Sequence, residues 1–401
     1  MATRLLRDFG SAIPPNQKNM RILCMIPAMM GPGGAERTMS YLVAHLAERH
    51  EVALLTLERP DAVSFYPVPA SVEFIRLDKL GGGGLKRAFK ILSRPFDIRR
   101  EVRARAPDVV VSFMDTMNVT AIVGCTGLGI PVVVSERNDP ELHRIGRAKE
   151  VLRDRLYAEA RLIVVQTERV ARYFSKSLRP KLRIIANPVP PAPARAQPDR
   201  STREGRLRLI AIGRLESHKG FDRLIEAFAR LASEQPHWDL RILGEGPERP
   251  KLKDLIKVRG LESRVQLPGV VKDVWTELSG SHLMAFPSCY EGFPNALAEG
   301  LAAGLPAIGR KGVSGVEDLI VDGKTGLLIE DKPDALTEAL SALMVDARTR
   351  TDFGEAARKH VLQWEPSHIF GLWEAALSEA MDTHHTKFDR LKRKKASADA
   401  A

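Results

Sequence analysis

Two glutamates eight residues apart, Glu291 and Glu299, are the residues whose type and spacing point most directly to chemistry. Between them lies a turn with glycine and proline, Gly292 to Asn295, and the short apolar run Leu283 to Phe286 upstream predicts a buried strand. We expect a helix to begin at this turn, because a helix start offers backbone N–H groups and a positive dipole end to an anion. The spacing therefore predicts a ligand site with one carboxylate at the tip of the turn and a second inside the helix.

The residue types leave three roles open for these two carboxylates. They could form the acid–base pair of a glycosidase, bind a metal ion, or accept hydrogen bonds from two parts of one ligand. The sequence contains no Asp-x-Asp pair, and no histidine stands at a spacing that would complete a metal site. We therefore expect neither a metal nor another cofactor.

A glycine turn from Gly31 to Arg37 follows the first predicted strand and precedes a predicted helix. Gly33 and Gly34 would allow the backbone to approach a phosphate or a sugar closely, and the helix start adds its dipole. The turn matches neither the G-x-G-x-x-G dinucleotide fingerprint nor a P-loop. By itself the pattern leaves a strand–helix turn without a ligand as an alternative.

A second turn, from Gly213 to Gly220, follows the first predicted strand of the second half of the chain. Arg214 and Lys219 stand five residues apart in it. They suit a diphosphate, because arginine offers a bidentate fork and lysine a compact charge. A solvated turn is the alternative interpretation, and we interpret His218 as a turn residue rather than a ligand or a base.

The composition describes a globular protein with more than one domain. Its 401 residues exceed what one hydrophobic core usually spans, and 44% apolar with 28% charged residues is ordinary for such proteins. The three cysteines, Cys24, Cys125 and Cys289, suggest no disulfide framework and have no metal-ligand spacing. We therefore expect a cytoplasmic protein.

The net charge of +11 is partly concentrated in one segment. Between Leu85 and Arg105, eight Arg or Lys residues accompany two acidic residues, and apolar residues recur at helical spacing. Such a basic amphipathic helix can lie on an anionic bilayer, and a solvated helix face packed on a core is the alternative. The charge also permits a nucleic-acid partner, but none of the signatures of nucleic-acid-binding folds accompanies it, so we expect none.

Short apolar runs alternate with helical patterns in both halves of the chain, which predicts parallel sheets covered on both faces. We therefore expect an α/β fold with two Rossmann-like, doubly wound domains that face a cleft. A stretch rich in Pro, Arg and Ser would separate them. The predicted organisation is a loose N-terminal leader over 1–19, a first domain over 20–190, a linker over 191–205, a second domain over 206–365, a helix over 366–382 that returns to the first domain, and a basic disordered tail over 383–401.

Together these motifs, in this order, resemble those of the retaining glycosyltransferases of family GT4, which have the GT-B fold. The resemblance extends from about residue 20 to residue 380. The string Ser135 to Pro140 resembles a bacterial subgroup that adds N-acetylhexosamine or related sugars to lipid-linked or surface-polysaccharide acceptors. The motifs that carry the family resemblance are Gly33 to Arg37, Gly213-Arg214 with Lys219-Gly220, Gly244 to Pro247, and Glu291-x7-Glu299 with Gly304-Leu305-Pro306.

The resemblance implies a role for each matching residue. Arg214 and Lys219 would hold the donor diphosphate and stabilise charge on the leaving nucleotide, in place of a metal. Glu291 would contact hydroxyls of the donor sugar, and Glu299 would accept hydrogen bonds from the ribose. The other donor-binding residues that it implies are Gly33, Gly34, Gly246, Val271, Gly292, Phe293, Pro294 and Asn295.

One position departs from the family pattern. Many relatives carry a histidine after the strand that here ends at Ser135, where it contacts the donor sugar. This chain has Glu136, Arg137 and Asn138 instead. We expect this group, and Arg137 or Asn138 in particular, to supply the acceptor or sugar contact. No residue is assigned as a catalytic base, because the family's front-face displacement lets the leaving phosphate accept the acceptor proton.

The resemblance implies a sugar-transferring enzyme. It would move an N-acetylhexosamine or hexose from a UDP-linked donor to a lipid-linked or polysaccharide acceptor, with retention of configuration. The basic segment adds the expectation of a peripheral contact with an anionic membrane, on the inner face of the cell membrane. Two alternatives are another GT-B enzyme, such as a sugar-nucleotide epimerase or a phosphorylase, and a non-catalytic basic binding protein.

Overall fold

The computed structural model describes residues 19–142, 145–201 and 205–398, and the chain divides into two compact units. Unit 1 comprises the described residues up to Asn187 together with those from Pro366 onwards, and unit 2 comprises Pro188–Glu365. The division after Asn187 lies just before the expected linker, 191–205. The expected leader, 1–19, lies outside the described residues except for Asn19.

Unit 1 is built on a seven-stranded sheet with the strand order β3-β2-β1-β4-β5-β6-β7, and each pair of neighbouring strands is parallel. The central strands are continuous apolar runs that are buried along their length, as parallel strands covered on both faces must be. The strands are β1 (Arg21–Met25), β2 (Glu51–Thr56), β3 (Glu73–Arg76), β4 (Val109–Phe113), β5 (Val132–Ser135), β6 (Leu162–Val165) and β7 (Leu182–Ile184).

The helices of unit 1 cover this sheet. Their bounds are α1 (Gly34–Leu46), α2 (Gly84–Arg105), α3 (Asp115–Cys125), α4 (Arg147–Tyr157), α5 (Glu168–Tyr173) and α13 (Pro366–Ala398), with a 3₁₀ turn at Arg179–Lys181. Helix α13 includes most of the segment 383–401 that was expected to be a disordered tail. The reason lies in the local sequence, which is rich in Lys, Arg and Ala, residues with strong helix propensity, so charge density does not end the helix.

Unit 2 is built on a six-stranded parallel sheet with the order β10-β9-β8-β11-β12-β13. The strands are β8 (Leu207–Ile212), β9 (Trp238–Leu243), β10 (Val265–Gly269), β11 (Leu283–Phe286), β12 (Ala307–Arg310) and β13 (Gly326–Ile329). The helices are α6 (Phe221–Leu231), α7 (Arg249–Val258), α8 (Val274–Ser279), α9 (Asn295–Ala302), α10 (Ser314–Leu319), α11 (Ala335–Val345) and α12 (Ala347–His360), and 3₁₀ turns lie at Ser217–Lys219 and Val361–Trp364.

The strand order reverses beside the first strand of each sheet. In unit 1, β1 lies between β2 and β4, and in unit 2, β8 lies between β9 and β11. Connections on the two sides of such a strand leave on opposite faces of the sheet, which opens a crevice at the carboxyl ends of the strands. The prediction of two Rossmann-like, doubly wound parallel sheets is confirmed. The predicted site residues in the turns after β1, β8 and β11 lie at these carboxyl ends.

Candidate active site

The turns that follow β8 and β11 meet at the switch point of unit 2. The Lys219 Nζ atom lies 2.5 Å from Glu291 Oε1, and the two side chains are 14% and 13% exposed. The ammonium group also lies 5.9 Å from the centre of the Phe286 ring. The structure therefore brings together two predicted site residues that stand 72 positions apart in the sequence.

Arg214 lies at the start of the same β8 turn and points to solvent. Its Nη1 atom is 3.1 Å from Glu216 Oε1, and its side chain is 64% exposed. An exposed guanidinium beside a sheltered ammonium offers a phosphate group both a bidentate fork and a point charge. The two predicted cations therefore differ in environment, with Lys219 held in place and Arg214 open to rearrangement.

His218 joins the two turns, which the sequence interpretation missed. Its ring stacks on that of Tyr290, with centroids 4.3 Å apart and planes at 15°. The backbone N–H of Cys289 donates a 2.8 Å hydrogen bond to the His218 carbonyl oxygen. Burial, followed by the charge of Lys219, lowers the pKa of His218 below the usual histidine value, so the imidazole is neutral near pH 7. The signal in the sequence was the aromatic residue directly before Glu291.

Glycines allow the backbone segments of this site to approach each other. Gly220 has a φ of +68°, and a Cβ atom there would lie 2.8 Å from the Pro287 carbonyl oxygen. A Cβ atom on Gly246 would lie 2.4 Å from the Leu215 carbonyl oxygen, which places the turn after β9 directly against the turn after β8. The close approach requires glycine at both positions.

Two of the predicted donor-binding residues, Gly246 and Val271, lie just beyond the ends of β9 and β10. Gly244 N donates a 2.8 Å hydrogen bond to the Gly269 carbonyl oxygen, which ties the two strand ends together. Val271, the second residue after β10, is half-buried. Gly246 and Val271 therefore follow two strands that are neighbours in the sheet.

The turn from Glu291 to Asn295 leads into helix α9, which begins at Asn295. Glu299 lies in that helix and is 5% exposed, whereas Glu291 stands at the turn. The Phe293 ring is buried and packs against Trp364, whereas the Glu291 side chain contacts Lys219.

Gly315 supports this turn from the far side and was not identified from the sequence. A Cβ atom on Gly315 would lie 2.5 Å from the Gly292 carbonyl oxygen and 2.7 Å from Pro294 Cδ. Gly315 is the second residue of α10, which packs on α9. Any larger residue at position 315 would push the turn away from its present position.

In unit 1, the glycine turn after β1 is fixed by side chains from later in the sequence. Glu58 Oε1 accepts hydrogen bonds of 2.8 Å from the N–H groups of Met29 and Met30. The Tyr66 hydroxyl donates a 3.0 Å hydrogen bond to the Pro32 carbonyl oxygen. Gly33 directly precedes α1, which begins at Gly34. The predicted glycines are therefore at a helix start, at the end of a turn held by Glu58 and Tyr66.

Glu136 directly follows β5 and is 2% exposed. The Tyr157 hydroxyl donates a 3.0 Å hydrogen bond to Glu136 Oε2, and Asn118 Nδ2 donates to the Tyr157 hydroxyl at 2.9 Å. Burial, with a smaller contribution from the charge of Asp115, raises the pKa of Glu136 to about 7. The carboxyl is therefore enclosed by polar groups of unit 1 and is close to half-protonated at neutral pH.

Arg137 is also buried, at 7% exposure. Its guanidinium donates to Asn187 Oδ1 and, at 3.3 Å, to Ser135 Oγ, and it lies 4.5 Å from the centre of the Phe113 ring. Burial lowers the pKa of Arg137 to about 9. Asn138 is half-buried. The structure thus places Arg137 inside unit 1, bound to its own chain, and its predicted contact with a sugar stays a prediction.

The part of the chain that the structure describes, residues 19–142, 145–201 and 205–398, contains neither a metal-binding cluster nor a membrane-spanning helix. No cluster of three or more His, Cys, Asp or Glu side chains in this part of the chain is arranged to hold a metal ion. None of the helices in the same residues combines the length and the apolar character that a membrane span requires.

Two family models match the chain, one in each unit. The model described as "Glycosyl transferase 4-like domain" matches residues 33–190, and the model described as "Glycosyl transferases group 1" matches residues 195–360. The chain belongs to the GT4-type glycosyltransferases of GT-B fold. The predicted family and the predicted class of enzyme are confirmed.

Individual relatives of this glycosyltransferase share its full length or part of it. It is 28% identical to an undecaprenol-diphosphate-sugar α-1,4-N-acetylgalactosaminyltransferase of Campylobacter jejuni, over 90% of this chain and 99% of that protein. It is also 28% identical to an exopolysaccharide phosphotransferase of Streptomyces coelicolor, over 86% of this chain but only 39% of that longer protein. Named glycosyltransferases among the relatives favour a transferase over a non-catalytic binding protein, an epimerase or a phosphorylase.

A solved structure shows the same fold for the glycosyltransferase. The Anabaena protein HepE, crystallised with UDP and glucose, superimposes with a TM-score of 0.71 over 90% of this chain and 100% of that one, at 17% sequence identity. The likeness confirms the GT-B fold prediction, with two parallel-sheet α/β domains.

Proposed function

We propose that this glycosyltransferase moves a sugar from a UDP-linked donor to a lipid-linked or polysaccharide acceptor, with retention of configuration. The observation that carries the proposal is the Lys219–Glu291 contact of 2.5 Å at the switch point of unit 2, with Arg214 in the same turn. One cation contacts a carboxylate at the carboxyl ends of β8 and β11, and a second, exposed cation lies in the same turn as the first. Such a set suits a diphosphate joined to a polyol.

In this proposal the two cations stabilise the leaving nucleotide. Lys219 is held next to Glu291, and Arg214 can turn from Glu216 toward a second phosphate oxygen. Charge develops on the phosphate oxygen as the sugar departs, and groups placed beforehand to meet that charge lower the barrier most. No metal ion takes part in this assignment.

The carboxylates bind the two ends of the donor. Glu291 accepts hydrogen bonds from sugar hydroxyls, while Glu299, deeper in α9, accepts them from the ribose. Backbone N–H groups of Gly292, Phe293 and Asn295 face the sugar and phosphate, and Pro294 has no N–H to give. Uracil lies beside Gly246 and Val271. UDP in the HepE crystal structure supports UDP as the nucleotide.

Retention follows when both bond changes take place on one face of the sugar. The bond between the anomeric carbon and the phosphate oxygen breaks, and the acceptor hydroxyl oxygen bonds to the same carbon from the same side. The hydroxyl proton passes to the departing phosphate oxygen. The products are the glycosylated acceptor and UDP, and no protein base is required.

The acceptor is assigned from the relatives and from the surface of unit 1. The Campylobacter jejuni relative is named for a substrate linked to undecaprenol diphosphate. Helix α2 exposes Phe89, Leu92 and Phe96 at 72%, 72% and 75%. The basic residues Lys86 and Arg87 of the same helix are also exposed. An apolar face with cations beside it suits an anionic lipid surface, so we propose peripheral binding to the inner face of the cell membrane.

The donor assignment is tested by calorimetric titration of the full-length protein with UDP, GDP and ADP, followed by a nucleotide-release assay with UDP-sugars. We expect UDP to bind tightest and Glu299→Ala to weaken its binding by about tenfold, the effect of losing a charged acceptor for two hydroxyls. The control is Glu338→Ala, a change on helix α11 far from these turns in sequence. Absence of any nucleoside diphosphate binding would overturn the proposal.

A further inference from the structure

The turn that carries Glu291 is supported by Trp364, which lies where the chain leaves unit 2. The Trp364 ring meets the Phe293 ring edge-on, with centroids 5.6 Å apart and planes at 70°. Phe293 is 6% exposed and stands between Gly292 and Pro294. Phe293 is only two residues from Glu291. The Trp364 ring therefore limits how closely the turn can pack against the core of unit 2.

Trp364 also connects the two ends of unit 2 through a backbone hydrogen bond. Its carbonyl oxygen accepts a 2.7 Å hydrogen bond from the N–H of Val189. Unit 2 spans Pro188–Glu365, so Val189 is its second residue and Trp364 its second-to-last. The segments by which the chain enters and leaves the unit are therefore joined at the residue whose side chain supports the Glu291 turn.

A second route leads from Trp364 to the same turn through His360. The His360 and Trp364 rings are 5.3 Å apart and nearly perpendicular, at 86°. His360 Nε2 lies 3.0 Å from the carbonyl oxygen of Asp318 in α10, which fixes the tautomer with the proton on Nε2. Helix α10 carries Gly315, whose backbone presses on Gly292. Trp364 thus contacts the turn directly through Phe293. It also reaches the helix that carries Gly315 through the His360 ring.

We propose that Trp364 is a positioning residue for sugar transfer, which links the geometry of the Glu291 turn to the segments where the chain enters and leaves unit 2. The inference rests on the proposed donor site, because it assigns no new ligand. Trp364 acts through Phe293 rather than by touching the donor. A misplacement of about 1 Å in groups that hold a substrate can lower turnover by about a hundredfold, so a support behind the turn affects the rate.

The test compares three variants of the full-length protein. Trp364→Leu removes the aromatic edge, Trp364→Phe keeps an aromatic ring, and Leu362→Ala is the matched control, since Leu362 is two residues away and 61% exposed. For each variant, kcat, the donor KM and the thermal unfolding midpoint are measured, and UDP affinity is determined by calorimetry. We expect Trp364→Leu to lower kcat about tenfold or more and to weaken UDP binding several-fold. Trp364→Phe should recover most of both losses, and Leu362→Ala should match the wild type.

The readouts separate positioning from bulk stability. If Trp364→Leu lowers only the unfolding midpoint and leaves kcat and UDP affinity unchanged, the inference is wrong. If Trp364→Leu cannot be obtained folded, Phe293→Leu takes its place, because it removes the same ring contact and keeps the Phe293 N–H. Unchanged kinetics in that variant overturn the inference equally. A wild-type protein that binds no nucleoside diphosphate would overturn the donor site itself, whereas normal wild-type binding with unaffected variants would overturn the role of Trp364 alone.

Discussion

The charged groups at the ends of the strands are buried in unit 1 and more exposed in unit 2. In unit 1, Glu136 and Arg137 are 2% and 7% exposed, and their polar partners belong to the same unit. In unit 2, Lys219 and Glu291 keep 14% and 13% exposure, and Arg214 is 64% exposed. The first group is enclosed by the fold, and the second is accessible from solvent.

Burying a charged group costs desolvation free energy, and an exposed charged group does not lose this free energy. A buried ion needs partners in fixed geometry, and removal of one partner leaves the other charge without compensation. Partly exposed ions lose little when a neighbour changes, and they can exchange protein contacts for ligand contacts. The difference supports the proposal that the unit 2 cluster binds an anion, whereas the unit 1 cluster is bound by groups of its own unit.

The largest effect is expected at Lys219. Lys219→Ala removes a cation that meets the developing charge, so kcat/KM should fall by about 10² to 10³. The change also leaves Glu291, 13% exposed, without its ion-pair partner, so the free energy of unfolding should fall by about 1 to 3 kcal/mol. Steady-state kinetics and urea denaturation measure the two quantities. Lys251→Ala is the control, because Lys251 is an equally charged, 64% exposed residue of α7. A Lys219→Ala enzyme with nearly wild-type kinetics would remove the distinction between the two clusters.

An intermediate effect is expected in the pH dependence of the free energy of unfolding of unit 1. Burial raises the pKa of Glu136 from 4.5 to about 7, so the folded state binds the proton more tightly than the unfolded state does. The stabilisation is therefore complete below about pH 4.5 and is lost as the pH rises toward 7, by on the order of 2 kcal/mol. Asp115, Arg153 and Tyr157 face the same carboxyl.

Urea denaturation at several pH values between 4.5 and 8 measures this dependence. Glu136→Gln cannot ionise and should flatten the curve over that range. Glu141→Gln, a change of an exposed carboxylate in the same loop, should leave the slope as it is. A wild-type curve that rises from pH 5 to pH 7, or a Glu136→Gln curve with the wild-type slope, would show that Glu136 does not titrate as its burial implies.

The smallest effect concerns the outer helices of the two units. Helix α6 of unit 2 buries its apolar residues, such as Phe221 and Phe228, whereas α2 of unit 1 exposes Phe89, Leu92 and Phe96. Co-sedimentation with anionic liposomes should fall severalfold when these three are changed to Ser, and likewise when Lys86, Arg87 and Lys90 are changed to Glu. Arg223→Glu with Arg230→Glu on α6 is the charge control. Equal retention of all variants would leave α2 as a solvated helix face.

The sequence predicted the central strands of unit 1 better than its edge strands. Strands β4 and β5 are continuous apolar runs, and the structure buries them fully. The edge strands β3 and β7 were not identified, because half-buried strands mix charged and apolar residues. Helix α12 was also missed, since its sequence is largely polar. Burial on both sides gives a strand a clear pattern, and edges lack it.

At the candidate site, types of residue were predictable but contacts were not. Glu291 and Lys219 were recognisable from their turns, yet their contact depends on β8 and β11 being neighbours. Gly315 and Trp364 carried no chemical signal at all, because Gly315 leaves room for the turn and Trp364 packs against Phe293. Arg137 was expected at a sugar, and its burial against Asn187 depends on packing between segments 50 residues apart.

The division of unit 1 into two stretches of sequence has a consequence for synthesis on the ribosome. Its last helix, α13, buries Trp373 against Phe113 and pairs Glu374 with His45 at 2.9 Å. These residues emerge only after all of Pro188–Glu365 has been made. Unit 2 can therefore complete its core during translation, while the nascent unit 1 exposes Phe113 and His45 until α13 has been made. A stop codon near residue 365 would release a protein with an intact second sheet and an uncovered first one.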